Sequence, residues 1–324
     1  MKRQHKKLIS LFFKVAIILM AFGFIWFKLN DNQNLKNFNA LIRSIPRTEV
    51  YWVITVVVIL MFFNWFLESL KWKYLVRRIE KITAWKAVES VFCGLTWAVF
   101  TPNRIGEYGG RVFFLSPRRR MLGVIAMGVG SVGQMVVTNI VGSVALLWFI
   151  WRFLALEFWV NYALLVLVVV FCVFFAVFYF NIRVLYGWIS KLSILRPFRK
   201  FFAILSRYHT GDLWKVFFYC LARFAVFTSQ YYILIHLLLP ELPLFEICMM
   251  TFILFFIQSA MPSLDLLDVG VRSMTATYFF GFITGQDVAV MAVTACVWFV
   301  NLIIPAILGA GFVLKLNFFG PDHR

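Results

Sequence analysis

The chain has 324 residues, of which 62% are hydrophobic, 19% aromatic and only 14% charged, with a formal net charge of +18. Soluble domains are near half apolar, so this composition excludes a soluble enzyme and points to a polytopic membrane protein with room for about six to eight spans of roughly 20 residues. The basic residues fall in short clusters between apolar runs, which is the pattern of cytoplasmic loops rather than of nucleic-acid binding.

The first apolar run, 8–27, follows Lys2, Arg3, Lys6 and Lys7. It starts like a signal peptide, but it is too long and no A-x-A cleavage site follows, so it is expected to stay as a span with a cytoplasmic amino terminus. A second span covers 51–67. Lys71, Lys73, Arg77, Arg78, Lys81 and Lys86 then read as an inside loop, and Arg118, Arg119 and Arg120 as the next. Between them lie a short apolar run at 87–100, a polar break at 101–111 and a stub at 112–115. That stretch is too short to cross twice, so a re-entrant hairpin over 87–115, dipping in from the cytoplasm, is expected.

Spans follow at 121–150 and 158–180. The first carries Gln134, Thr138 and Asn139 between Gly130 and Gly142, a small-residue face suited to close helix packing. A cytoplasmic linker at 181–212 includes 183–209, where basic and apolar residues alternate at helical spacing, as in an amphipathic helix on the inner leaflet, broken at Pro197. The fifth span, 213–239, places Arg223 about ten residues deep, where it must face a cavity or pair with an acid. Residues 244–285, with a second polar break at 261–272, read as another re-entrant hairpin, entering from the outside, although 244–260 is long enough to cross with little tilt. The sixth span, 288–314, carries Pro305, a candidate kink.

The expected fold is therefore all-α: about six spans plus two opposed re-entrant hairpins. The halves, about 1–180 and 213–314, would be related as an inverted repeat, with the substrate site where the broken segments meet. Pro102 and Pro262 head the two breaks and stop the incoming segments, with Gly106 and Gly270 as further turn residues. Each break ends in an acid–base pair four residues apart, Glu107 with Arg111 and Asp268 with Arg272. Two readings stay open. The pairs neutralise themselves and merely permit a buried turn, or Arg104, Arg111, Arg272 and Arg223 offer guanidinium forks to a phosphate, held or released by Glu107, Asp265 and Asp268. Gln230, Gln258 and Asn301 are weaker cavity-lining candidates.

The sequence has no G-x-S-x-G, H-E-x-x-H or Walker motif, its four histidines are not clustered, and its five cysteines are scattered without a C-x-x-C pair. Neither catalysis nor a metal or cofactor is expected.

Phe63-Asn64-Trp65, Leu70-Lys71-Trp72-Lys73-Tyr74-Leu75, the break Thr101-Pro102-Asn103-Arg104-Ile105-Gly106-Glu107-Tyr108-Gly109-Gly110-Arg111, and Met261-Pro262 with Gly270-Val271-Arg272 resemble the lysylphosphatidylglycerol synthase transmembrane-region family. The resemblance implies a lipid-handling domain with re-entrant helices and a cavity open to one leaflet, with Pro102, Arg104, Gly106, Glu107 and Arg111 filling the first motif. Where that family often shows G-V-x-E, Ser273 stands here in place of the acid. It also implies that the aminoacyl-transferring domain is missing after Arg324, so that the chain does not make lysyl-lipid alone. The expectation is a flippase for an anionic phospholipid or lipid-linked substrate in a bacterial-type inner membrane, with both termini cytoplasmic. Its alternatives are an ion-coupled transporter of small solutes and a non-transporting partner of a separate synthase or glycosyltransferase.

Overall fold

The computed structural model describes residues 36, 40–99, 101, 104–181, 187, 203–261 and 268–313. Among the described residues all regular secondary structure is helical, and five helical stretches are long and apolar enough to cross a membrane. The expected span at 8–27 and most of the amphipathic segment at 183–209 lie outside the described residues.

Helix α1 (Arg47–Val76) has 30 residues, about 45 Å at 1.5 Å per residue, enough for a hydrocarbon core of roughly 30 Å and part of both head-group layers. Val57, Met61, Asn64, Trp65, Glu68, Trp72 and Leu75 recur every three or four positions and are buried, while Tyr51, Trp52, Ile59, Phe62 and Phe66 face outward. The sequence places Lys71 and Lys73 in a loop after residue 67. The structure corrects this: the helix runs on for more than two turns, because Lys71 is buried beside Glu68 and the pair permits apolar packing to continue.

Two shorter helices follow, α2 (Ala84–Val99) and α3 (Ile105–Val112). At about 24 and 12 Å, neither alone spans a bilayer core. A Cβ on Gly110 would lie 2.6 Å from the Gly94 Cα, and one on Gly106 2.3 Å from the Trp97 carbonyl oxygen. Because the contacts run from 94 with 110 to 97 with 106, the helices form an antiparallel hairpin whose arms touch backbone to backbone. Only glycine allows that approach.

A 3-10 turn (Pro117–Arg119) leads into α4 (Arg120–Phe153), followed by α5 (Phe158–Phe180). Among the residues of α5 only Tyr179 is buried, which suits a helix packed on one edge and otherwise facing lipid. After a second 3-10 turn (Ala203–Arg207), α6 (Thr210–Leu238) returns across the bundle. Helices α7 (Leu244–Ala260) and α8 (Asp268–Phe280) pack on each other as a second hairpin. The last stretch is α9 (Asp287–Trp298), a π-helical turn (Phe299–Ile303) and α10 (Ile304–Val313). Pro305 lacks the N–H that an α-helix would aim at residue 301, and the wider π-helical turn stands just before it.

Side-chain contacts fix which end each hairpin opens on. Arg77 and Arg78 reach Asp212, Ser116 reaches Glu80, and Trp85 meets Phe312 edge-on. This near end therefore gathers the end of α1, the base of the first hairpin, the starts of α4 and α6, and the end of α10. At the far end Trp148 packs on Phe245, and Phe149 on Phe279 and Phe282, with centroids 4.8–5.4 Å apart. The second hairpin opens there. The two hairpins enter the bundle from opposite ends.

Helix α4 packs through the small residues singled out in its sequence. A Cβ on Gly130 would meet Leu75, and one on Gly142 would meet Phe256. Gln134 Nε2 donates to the Cys220 carbonyl at 3.5 Å, and Ser259 Oγ donates to Asn139 Oδ1 at 3.0 Å. Asn301 Nδ2 donates to Gln230 Oε1 at 3.0 Å, and Gln230 Nε2 to the Val57 carbonyl at 2.9 Å, which ties the π turn to α6 and α1. These amides pack and bridge helices.

Candidate functional site

The first break is held by its own backbone chemistry. Thr101 Oγ1 accepts from the Gly106 N–H at 2.7 Å and donates to the Trp97 carbonyl at 3.0 Å, so one hydroxyl joins the end of α2 to the start of α3. Arg104 precedes α3 in a left-handed conformation, φ 56°, among the described residues the one non-glycine with positive φ. Such a conformation costs on the order of 1 kcal/mol and persists where surrounding contacts fix it.

Here the fix is ionic. Arg104 Nε lies 3.1 Å from Glu107 Oε2, and Arg111 Nη2 donates to Glu107 Oε1 from one helical turn on. Glu107 and Arg111 thus form the expected i,i+4 pair. Arg111, only 2% exposed, sends its other arm out of the hairpin: Nη1 donates to Glu68 Oε1 on α1 at 2.6 Å. Glu68 Oε2 accepts from Arg223 Nη1 on α6 and lies 2.7 Å from Lys71 Nζ. Arg223 also donates Nε to Asn64 Oδ1 at 3.0 Å and sits over the Trp65 ring at 5.2 Å.

One carboxylate, Glu68, therefore gathers three cations from three elements. Three buried cations (Lys71, Arg111, Arg223) and the more exposed Arg104 thus face the two buried carboxylates Glu68 and Glu107. Lys71, Arg111 and Arg223 are all less than 10% exposed, whereas the Arg104 side chain is 39% exposed. A buried ion costs several kcal/mol in desolvation unless it is paired, and each of these cations has Glu68 or Glu107 as its partner.

The sequence named Arg104, Glu107, Arg111 and Arg223, and the structure brings these four together. It missed Glu68, Lys71 and Asn64. The signal was present, since Asn64, Glu68 and Lys71 share the buried stripe of α1, but a charged residue after an apolar run reads as the end of a span.

The second break is built differently. Gly270 is buried in the first turn of α8, Ser273 is 2% exposed, and Arg272 donates Nη1 to Gln258 Oε1 at 2.8 Å, bridging the two arms of its hairpin. Asp268 opens α8; its side chain, with Pro262 and Asp265, lies outside the described residues, as does Pro102 in the first break. Lys71 lies against Gly130 of α4 and Ser259 against Asn139; those two positions of α4 are nine residues, or roughly 14 Å, apart along the helix axis.

A family model for the lysylphosphatidylglycerol synthase transmembrane region matches residues 11–310. The chain belongs to this family. No curated protein and no solved structure matches it. Family membership and five membrane-length helices together make the chain a multi-pass membrane protein, and the match covers every residue of the cation cluster.

On the near end a second set of contacts braces the hairpin. Glu80, in the turn after α1, accepts from the Ser116 N–H at 3.0 Å and from its hydroxyl at 2.8 Å, with Lys86 and Arg119 each at 3.8 Å. Burial pushes the Glu80 carboxyl up, but the two Ser116 hydrogen bonds and the two cations outweigh it, so its pKa lies below the ordinary value.

Proposed function

We propose that this protein moves an anionic phospholipid, or a lipid-linked anionic substrate, between membrane leaflets, with the cluster around Glu68 as the head-group site. The observation that carries the reading is the gathering of three buried cations, Lys71, Arg111 and Arg223, on one carboxylate at the arm of a broken helix. A phosphate head group is an anion with oxygens spaced for guanidinium forks, so it can stand in for a carboxylate in such contacts.

In this reading the near end is cytoplasmic, as Arg77, Arg78, Lys81, Lys86, Arg118, Arg119 and Lys215 favour, and the membrane is a bacterial-type inner membrane. The two hairpins are re-entrant, one from each face, and the two halves act as inverted repeats. Arg104, the most exposed cation of the cluster, meets the head group first. Arg111 then exchanges one carboxylate for the phosphate, which loosens either its Glu107 contact within the hairpin or its Glu68 contact to α1. Substrate binding is thereby coupled to movement of the hairpin against α1 and α6.

The test is reconstitution into liposomes with fluorescent lipids of different head group. Wild type accelerates exchange of the anionic lipid; Arg111→Ala and Glu107→Gln slow it at least tenfold, and Arg111→Lys, which keeps the charge but loses the fork, gives an intermediate rate. If no lipid crosses faster than in empty liposomes, the proposal fails. Uptake of a water-soluble ion or solute under the same conditions would instead support a solute transporter.

A further inference from the structure

The cation cluster holds hydrogen-bond donors that its carboxylates do not use. Among the described residues Trp65 and Trp72 are the buried tryptophans, and neither indole Nε1 has a hydrogen-bond partner there. Asn64 Nδ2 and Arg111 Nε are orphaned in the same way, with Asn64, Trp65 and Arg111 0%, 3% and 2% exposed. Buried indole N–H and tyrosine O–H groups usually find a partner, and two buried tyrosines do: Tyr179 donates to the Leu213 carbonyl and Tyr208 to the Leu75 carbonyl. Every orphaned side-chain atom of α1 is a donor.

Two of these donors flank one cation. Asn64 Oδ1 accepts from Arg223 Nε at 3.0 Å, which leaves Nδ2 over, and the Trp65 ring lies 5.2 Å from the same guanidinium. Arg223 and Arg111 share Glu68, so Arg111 Nε belongs to the same network. Trp72 lies elsewhere: it is seven residues, or roughly 10 Å, along α1 from Trp65, and its ring packs at Gly123 with Val112 and Leu115, at the base of the first hairpin. Donors without acceptors select a ligand that accepts without donating. A water would bring two hydrogens of its own in among the cations, whereas the unprotonated oxygens of a phosphate take N–H groups and bring none.

We infer that Asn64 and Trp65 are the neutral part of the head-group site, donating Nδ2–H and Nε1–H to phosphate oxygens held at Arg223. This deepens, and rests on, the reading of the cluster as a phosphate site. The cations attract any anion, while the two neutral donors favour one that presents several bare oxygens. Trp65 and Asn64 thereby set specificity, and Trp72, out of reach of a phosphate at Arg223, does not.

The test reads binding apart from transport: full-length protein in detergent micelles is titrated calorimetrically with dihexanoyl phosphatidylglycerol or with inorganic phosphate. The short-chain lipid is expected to bind, and inorganic phosphate to compete with it more weakly. Trp65→Phe, which removes the N–H but keeps an aromatic face for Arg223, weakens the lipid about tenfold, the usual worth of a hydrogen bond to a charged group. Asn64→Asp, which keeps an oxygen for Arg223 but loses the donor, weakens it further, and Trp72→Phe keeps the wild-type affinity. In wild type labelled with 15N-tryptophan, the Trp65 indole signal, assigned by its loss in Trp65→Phe, moves downfield when lipid is added and that of Trp72 stays, a readout independent of how well any variant folds. An unmoved Trp65 signal, equal affinities of Trp65→Phe and wild type, or no binding of either probe overturns the inference; binding of inorganic phosphate without the lipid overturns the head group as its source. The two proposals fail separately. Lipid exchange by wild type with normal binding in Trp65→Phe and Asn64→Asp sinks this inference and leaves transport standing, and lipid that binds through Trp65 but never crosses does the reverse.

Discussion

The two hairpins are alike in outline and differ in the contacts of their described residues. In the first, Arg111 joins the hairpin to α1 through Glu68, and Glu68 in turn holds α6 through Arg223, so the break is bolted to two long helices by buried charge. In the second, Arg272 reaches across its own hairpin to the neutral Gln258, and a cavity walled mostly by apolar side chains lies beside it. The contrast teaches that breaks of similar pattern can be anchored differently: the first is tied by buried ion pairs to two long helices, while the described contact of the second bridges the two arms of its own hairpin.

The largest effect that can test the contrast is at Glu68. Glu68→Ala leaves Lys71, Arg111 and Arg223 buried without their shared carboxylate, and removing one partner of a buried pair costs about 3–5 kcal/mol. Thermal unfolding in detergent should show a large drop, with Glu68→Gln intermediate. An unchanged melting temperature for Glu68→Ala would mean that the cluster does not bolt the hairpin in place. Next comes the glycine seam: Gly110→Ala drives a methyl into the Gly94 backbone, 2.6 Å away, an overpacking worth about 1–3 kcal/mol in the same assay. In the second hairpin, Gln258→Leu removes one neutral partner of a half-buried arginine and is expected to cost about 1 kcal/mol. A loss as large as that of Glu68→Ala would erase the distinction between the hairpins.

The smallest expected effect is at the near-end brace. The folded pKa of Glu80 is depressed, so its contribution is present above the unfolded glutamate pKa of about 4.3 and is lost as pH falls through the lower folded value. Melting curves from pH 7 down to pH 3 should fall more gently for Glu80→Gln than for wild type. Parallel curves would show that the Ser116 contact does not contribute to stability.

Much of the fold was legible because the bilayer imposes simple lengths. Runs such as 121–150 and 158–180 mark helices by composition alone, and the proline of each break follows closely on the end of a helix, whereas Gly106 and Gly270, expected as turn residues, lie inside α3 and α8. Half of the candidate site was legible too, since Glu107 and Arg111 are neighbours in sequence and share a helical face. Their main partner was not. Glu68 lies 43 residues from Arg111 and 155 from Arg223, and nothing local distinguishes a carboxylate that ends a span from one that binds three cations inside it. Arg223 signalled the need for an acid, but tertiary packing decided which. The extension of α1 past Lys71 has the same cause: in isolation the lysine reads as a boundary, and its burial depends on Glu68.

The π turn at Phe299–Ile303 sets the phase of everything after it. Gly309 lies so close to the Phe92 carbonyl that a Cβ there would stand 2.1 Å from it, and Thr96 Oγ1 donates to the Ala306 carbonyl at 2.7 Å. Each residue advances a helix by about 100°, so deleting one residue within that turn would swing Gly309 a quarter-turn or more off the seam and bring a bulkier neighbour against α2. The final helix is threaded like a screw whose starting position is cut into the π turn. Its point mutations should be tolerated on the lipid side, while single-residue insertions or deletions there would unseat the hairpin it backs.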